Sequence, residues 1–209
     1  MIDTKQKIMD VAERLFGEQG YDATSLRHII AEAGVNLAAV HYHFGSKEDL
    51  LLEVVMRKIG PINERRMALL DRAETEAAPN APSVEKVLEA FLAPAINVNK
   101  SPAFVKLMGR LHAEGSATEI FHKHFEPMIT RFRTALSRAV PELSEKELEW
   151  RSHFMIGAMA HLLTGKPILR PSVERDDLRL VMQYLIAFLN GGFHAPAVEP
   201  AEAAVPQEK

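Results

Sequence analysis

Apolar residues recur along this chain at the three-to-four-residue spacing of helices and rarely alternate as strands do, so the pattern predicts an all-α protein. The first period runs from about Thr4 to Gln19, with Ile8, Ala12, Leu15 and Phe16 on one face and Gly20 as its stop. Thr24 stands where an N-cap would open a short second helix, with Leu26, Ile29, Ile30 and Ala33 inward. Gly34 breaks the chain, and Asn36 caps a third short helix that reaches about His43. Ser46-Lys-Glu-Asp49 reads as a capping box; it opens a helix through Leu50, Val54, Val55 and Ile59, which Gly60-Pro61 ends or kinks.

Longer periods follow. Ile62 to Ala77 is one, and Pro79-Asn-Ala-Pro82 is a loop after it. Ser83 caps a helix with Val87, Leu88, Phe91 and Leu92, bent at Pro94. Pro102 takes a first helical position, where its missing N–H costs nothing, and Gly115-Ser116 closes that helix. Thr118 to Val140 is a long segment interrupted or kinked at Pro127. Ser144-Glu-Lys-Glu147 is a second capping box, opening a helix to Thr164 that Gly165 ends. The last helix is expected from Arg175 to Asn190, stopped by Gly191-Gly192. Three short helices followed by long ones divide the chain into residues 1–47, residues 48–194, and an Ala-, Pro- and Glu-rich tail, 195–209, expected to be disordered.

A short helix, a glycine break and a second short helix form the arrangement of a helix-turn-helix, whose second helix enters the DNA major groove. Val35, Val40 and Phe44 are its inward positions, which leaves Leu37, Ala38, Ala39, His41 and Tyr42 outside. A Leu-Ala-Ala face is poorly suited to water and well suited to thymine methyl groups. Charge works against this reading. The net charge is −3, and acidic side chains outnumber basic ones in the first fifty residues, so DNA binding has to rest on where groups sit.

The stretch Tyr21 to Leu50 resembles the DNA-binding domain of TetR/AcrR-type regulators, carried by Ala33-Gly34-Val35, Tyr42-His43-Phe44 and Ser46-Lys47-Glu48-Asp49-Leu50. The resemblance implies that Ser25 and Arg27 meet a phosphate or groove edge. It sets Asn36, Leu37, Ala38, Ala39 and His41 against bases or the sugar-phosphate edge, and Tyr42, His43 and Lys47 on backbone phosphates. Ile30 and His41 depart from it, standing where alanine and tyrosine are common. A lysine in the first turn of a helix is disfavoured by the helix dipole, which fits a phosphate partner for Lys47.

The two last helices carry broad apolar stripes that suit pairing with a second copy as a four-helix bundle. Phe154, Gly157, Ala158, His161 and Leu162 are the expected contacts on one, and Leu178, Val181, Met182, Leu185 and Leu189 on the other. Two-fold symmetry would set the recognition helices about 34–36 Å apart on a pseudo-palindromic operator. Between the two ends, Phe91, Phe104, Leu107, Met108, Leu111, Phe121, Phe125, Met128, Met155 and Met159 are candidates to line an apolar effector pocket, with His112 as a polar group. Met108-Gly-Arg-Leu-His-Ala-Glu114 and Trp150-Arg-Ser-His-Phe-Met-Ile-Gly-Ala-Met-Ala-His161 resemble a fatty-acid-responsive TetR subgroup, which implies an acyl chain or acyl-CoA as effector.

Other classes find little support. No Gly-x-Ser-x-Gly elbow, phosphate loop or Gly-x-Gly-x-x-Gly occurs, so neither an enzyme nor a bound cofactor is expected. His122 and His124 point to different faces of a helix and make poor co-ligands for a metal. The chain has no cysteine, which fits a reducing cytoplasm, and no apolar run long enough to span a membrane. The remaining rival is a helical adaptor without sequence-specific DNA binding.

Overall fold

The computed structural model describes residues 3–114, 118–164 and 178–198. Among them every regular element is helical: α1 (Thr4–Gln19), α2 (Leu26–Ala33), α3 (Leu37–His43), α4 (Lys47–Ala77) and α5 (Val84–Leu92). A 3-10 segment (Ala93–Lys100) leads to α6 (Pro102–Glu114), α7 (Thr118–Ala139), α8 (Glu145–Thr164) and α9 (Leu178–His194). The expected helix ends at Gly115-Ser116, Gly165 and Arg175 lie outside the described residues.

Capping follows the local chemistry with one shift. Ser25, not Thr24, opens α2, its Oγ accepting from the His28 N–H at 3.2 Å. Thr24 is buried, and its hydroxyl donates to the Gly20 carbonyl at 2.7 Å, tying the loop to the end of α1. Asn36, Ser46 and Ser83 cap α3, α4 and α5 as their spacing implies.

Three positions read from sequence as ends, interruptions or kinks lie inside continuous helices. Pro61 lies inside α4, which runs unbroken to Ala77. Proline removes one backbone donor, but packing at both ends holds the helix: Leu50, Leu51, Val54 and Val55 are buried before it, and Arg66, Leu70 and Ala73 after it. Likewise α7 passes through Pro127, and α9 passes through Gly191 and Gly192 to His194, anchored by buried Phe193. Near Pro94, by contrast, α5 ends at Leu92 and tightens into the 3-10 segment.

Among the described residues two hydrophobic cores result. The first gathers Ile8, Leu15 and Phe16 of α1, Ile29, Val40, Phe44 and the start of α4 around Phe104, Leu107 and Leu111 of α6. Gly17 makes the α1–α6 contact close: a Cβ there would stand 2.9 Å from the Ala103 carbonyl oxygen and 3.3 Å from the Leu107 nitrogen. The second core packs Leu70 of α4, Leu88 and Phe91 of α5, Phe132 and Leu136 of α7, Met155 of α8 and Met182, Ile186 and Phe193 of α9. Each fully buried Leu or Phe contributes about 2 kcal/mol to such cores.

Ala195, Pro196 and Val198, which follow α9, are held against α8. Arg151 of α8 donates to the carbonyls of Gly192 (2.7 Å), Phe193 (2.9 Å), Ala195 (2.9 Å) and Pro196 (3.0 Å), and the Val198 N–H donates to Glu147 at 3.1 Å. Arg151 thereby satisfies the open carbonyls at the end of α9 and straps the next residues along α8. Glu147 is diverted to this strap: its N–H meets Ser144, but its carboxylate pairs with Arg151 at 2.5 Å.

Candidate nucleic-acid interface

α2 and α3 are joined by a turn that needs Gly34, which holds the left-handed conformation (φ 61°, ψ 40°) while its N–H and that of Val35 close the end of α2. α3 spans seven residues, about 10 Å, short enough to lie across a major groove. Val40 and Phe44 fasten it to the first core, and Leu37 (51% exposed), Ala38, His41 and Tyr42 (86% exposed) face away. Ala39 is a correction: it is half-buried and packs on the core, which leaves less of it for DNA than its position implied. His43 is also half-buried, its ring 5.1 Å from Tyr42 and 6.0 Å from Phe44.

Several expected contacts already have a local role that limits what they offer. Asn36 Oδ1 accepts from the Ala39 N–H at 2.8 Å, so its amide NH2 is what remains for a partner. Ser25 Oγ accepts from His28 and keeps its own proton to donate. His41 Nδ1 donates to the Gly45 carbonyl at 3.0 Å, leaving Nε2 for a partner. Lys47 sits with Nζ 4.2 Å from the Tyr21 ring centre, and burial chiefly lowers its pKa while Asp22 opposes the shift. Its charge is less hydrated than that of a free surface lysine.

The cations around this face are mostly spoken for. Arg14 pairs with Glu18 at 2.8 Å and with Glu32, and Lys5 pairs with Glu53 at 3.0 Å. Among the described residues Arg27 and Lys7 form no ion pair. Lys7, which the sequence reading passed over, holds its ammonium 3.7 Å from where a Cβ on Gly34 would stand, beside the α2–α3 turn. No local pattern in α1 marks it; its place is set by how α1 crosses α2.

Two family models match this chain. Residues 8–54 match bacterial regulatory proteins of the tetR family, and residues 89–192 match the tetracyclin repressor-like C-terminal domain. The chain belongs to the TetR family.

It is 29% identical over 171 residues to the HTH-type transcriptional dual regulator CecR of Shigella flexneri, covering 78% of this chain and 76% of that one. It is 48% identical over 52 residues to the HTH-type regulator AcrR of the same organism, a match confined to 25% of this chain and 24% of that one. AmtR of Mycobacterium smegmatis is similar in fold, with a TM-score of 0.60 at 17% identity over 89% of this chain and 86% of that one. TetR regulators bind DNA operators and act as homodimers. This TetR-family protein is thus a DNA-binding transcriptional regulator.

The larger domain distributes its candidates differently from the sequence reading. Phe104, Leu107 and Leu111 are buried in the first core beside α1, with Met108 and Phe125 packed on it. Phe91 and Met155, with Met128 and Met159 packed on them, belong to the second. The described members of this set are divided between two cores; the side chains of His112 and Phe121 lie outside the described residues. A cleft of about 520 Å³ opens instead between α4, α5 and α9, over Leu69, Ala73, Ala90 and Ile186 with Arg72, Glu89 and Arg179 at its edge.

On α8 and α9 the apolar stripes each split into two faces. Met182 and Leu189 are buried in the protomer's own core, and Leu162 and Leu185 pack on it, so these four are not the exposed surface. That surface is formed by Trp150 (54% exposed) and Phe154 (61%) on α8 and by Tyr184 (57%) and Phe188 (75%) on α9. Gly157 and His161 continue the first line; Ala158, Leu178 and Val181 are half-buried beside it. Trp150, Tyr184 and Phe188 were missed, although each aromatic pair lies four residues apart on its helix, a signal the sequence did contain.

Proposed function

We propose that this protein represses transcription as a symmetric dimer bound to a pseudo-palindromic operator, and leaves it when the larger domain takes up a small apolar effector. The observation carrying the proposal is the outward face of α3: Leu37, Ala38, His41 and Tyr42 stand exposed on a short rod whose other side is pinned by Val40 and Phe44. Ser25, Arg27, Asn36, His43 and Lys47 flank that face as phosphate and edge contacts, with Ala39 contributing only its exposed side. The exposed aromatics of α8 and α9 support pairing through those two helices, which doubles every contact on the DNA.

An acyl chain, as a fatty acid or acyl-CoA, is the effector class we assign to the second core. α4 supports the coupling, since one helix carries residues of both cores across Pro61. An effector that favours one packing of α4 shifts the population of dimers whose recognition helices match the operator.

The test is selection of genomic fragments by the purified protein, followed by titration at several salt concentrations. One enriched palindrome is the expected result, with a salt slope well below that of about ten phosphate contacts because few cations are unpaired. Uniform weak binding would support the adaptor reading instead. An effector that binds the larger domain but leaves operator affinity unchanged would refute the switching.

A further inference from the structure

Arg66 is 5% exposed, at the junction of α4, α5 and α8. Its Nε donates to the Phe91 carbonyl at 2.7 Å, its Nη1 to Asn63 Oδ1 at 3.0 Å, and its Nη2 to the Met159 sulfur at 3.5 Å. The guanidinium also lies 4.1 Å from the centre of the Phe91 ring. Every one of these partners is neutral, and among the described residues no carboxylate comes within ion-pair distance. The burial lowers its pKa to about 10, so the group is still charged near neutral pH.

A buried cation held only by neutral groups is a standing cost to the fold, and a methionine or leucine would fill the same space without it. The weakest of the three contacts is the thioether, a poor acceptor that an oxyanion replaces with a charge-assisted bond. Two of these partners belong to the apolar second core, in which Phe91 is buried and against which Met159 packs.

Resting on the effector reading above, we infer that Arg66 is the anchor for the anionic head of the effector, which is a free carboxylate on an apolar body. One guanidinium matches one negative charge. A coenzyme A thioester presents a neutral carbonyl at its acyl end and several phosphates beyond it, which a single buried cation does not match.

The test is calorimetric titration of the full-length protein with dodecanoate, dodecanol, methyl dodecanoate and dodecanoyl-CoA, repeated with Arg66→Met. The wild type should bind dodecanoate at least about tenfold more tightly than the alcohol or the ester, as expected for a charge-assisted pair in a buried site. Arg66→Met should bind the acid and the alcohol alike, with alcohol binding retained. Equal binding of acid and alcohol by the wild type overturns the assignment, as does a preference for acid that survives in Arg66→Met or a preference for the thioester. Should Arg66→Met not fold, Arg66→Lys replaces it: the charge remains, the planar fork is lost, and the preference for acid should fall but not vanish. If none of the four compounds binds, the effector reading falls with the inference; if the alcohol binds and the acid gains nothing, only the inference falls.

Discussion

Arg57 of α4 reaches Glu13 of α1 with its Nη2 2.6 Å from Oε2, and Glu13 is almost wholly buried. The second Glu13 oxygen accepts from Ser101 Oγ at 2.9 Å, immediately before α6, and Arg57 Nη1 reaches Asp10 at 2.6 Å. One carboxylate thus ties α1 both to α4 and to the residue that precedes α6. Nothing in the local sequence pairs residues this far apart.

Removing both partners of this pair should cost less than the two single removals added together. Arg57→Ala leaves a buried carboxylate held by one hydroxyl, a loss of about 3 kcal/mol, which lowers Tm by roughly 6–12 °C in a chain of this size. The double variant Glu13→Ala/Arg57→Ala should be less damaging than the two single losses summed. Calorimetry of the four proteins measures this, and simple additivity would show that the two side chains act independently.

Gly17→Ala should push α1 and α6 apart, because its new methyl group meets backbone atoms of Ala103 and Leu107 that have no rotamer to change. The expected loss is about 1–3 kcal/mol. Denaturant melts read it, and an unchanged midpoint would mean that the two helices slide past each other freely.

Stability should fall with acid through Glu74. This carboxylate accepts from Arg131, Nη1 to Oε1 at 2.8 Å, and that hydrogen bond chiefly holds its pKa below the usual carboxylate value, with the charges of Arg131 and Arg138 adding to it. A lowered folded pKa adds stability above the unfolded value of 4.5 and loses it as pH drops through the folded one. Glu74→Gln should therefore cost about 1 kcal/mol at pH 7, Arg131 being exposed enough for solvent to screen the pair. The gap between wild type and variant should close below the unfolded value. Urea melts across that range test the sign; a gap that widens in acid would reverse it.

Phe154→Glu and Phe188→Glu should give monomers that keep wild-type helicity, since both rings are mostly exposed in the protomer. Sedimentation measures the first outcome and circular dichroism the second. Operator affinity should drop with dimerisation. Met182→Glu should unfold the protein instead, because that side chain is 3% exposed.

At the DNA face, Tyr42→Phe removes only a phenolic hydroxyl from a side chain that the fold does not need. Tm should stay within about 1 °C, while operator affinity falls five- to tenfold, the usual worth of about 1–1.4 kcal/mol for one lost hydrogen bond. Gel-shift titration reads this, and unchanged affinity would remove Tyr42 from the contact set.

The sequence by itself determined what is local. Ser46, Ser83 and Asn36 cap helices because an oxygen three residues from a free N–H has one good partner, and Gly34 marks its turn because only glycine rests easily at positive φ. The helix-turn-helix follows from those signals together with the inward Val40 and Phe44. The tertiary structure decided what depends on distant partners. Pro61 and Gly191-Gly192 remain helical because packing outweighs a missing donor or a glycine's entropy. Met182 and Leu189 turn inward while Tyr184 and Phe188 turn outward on the same helix, although all four are apolar. Periodicity says which residues avoid water; it does not say which neighbour covers them, and that choice separates core from surface and left the charged Arg66 side chain buried.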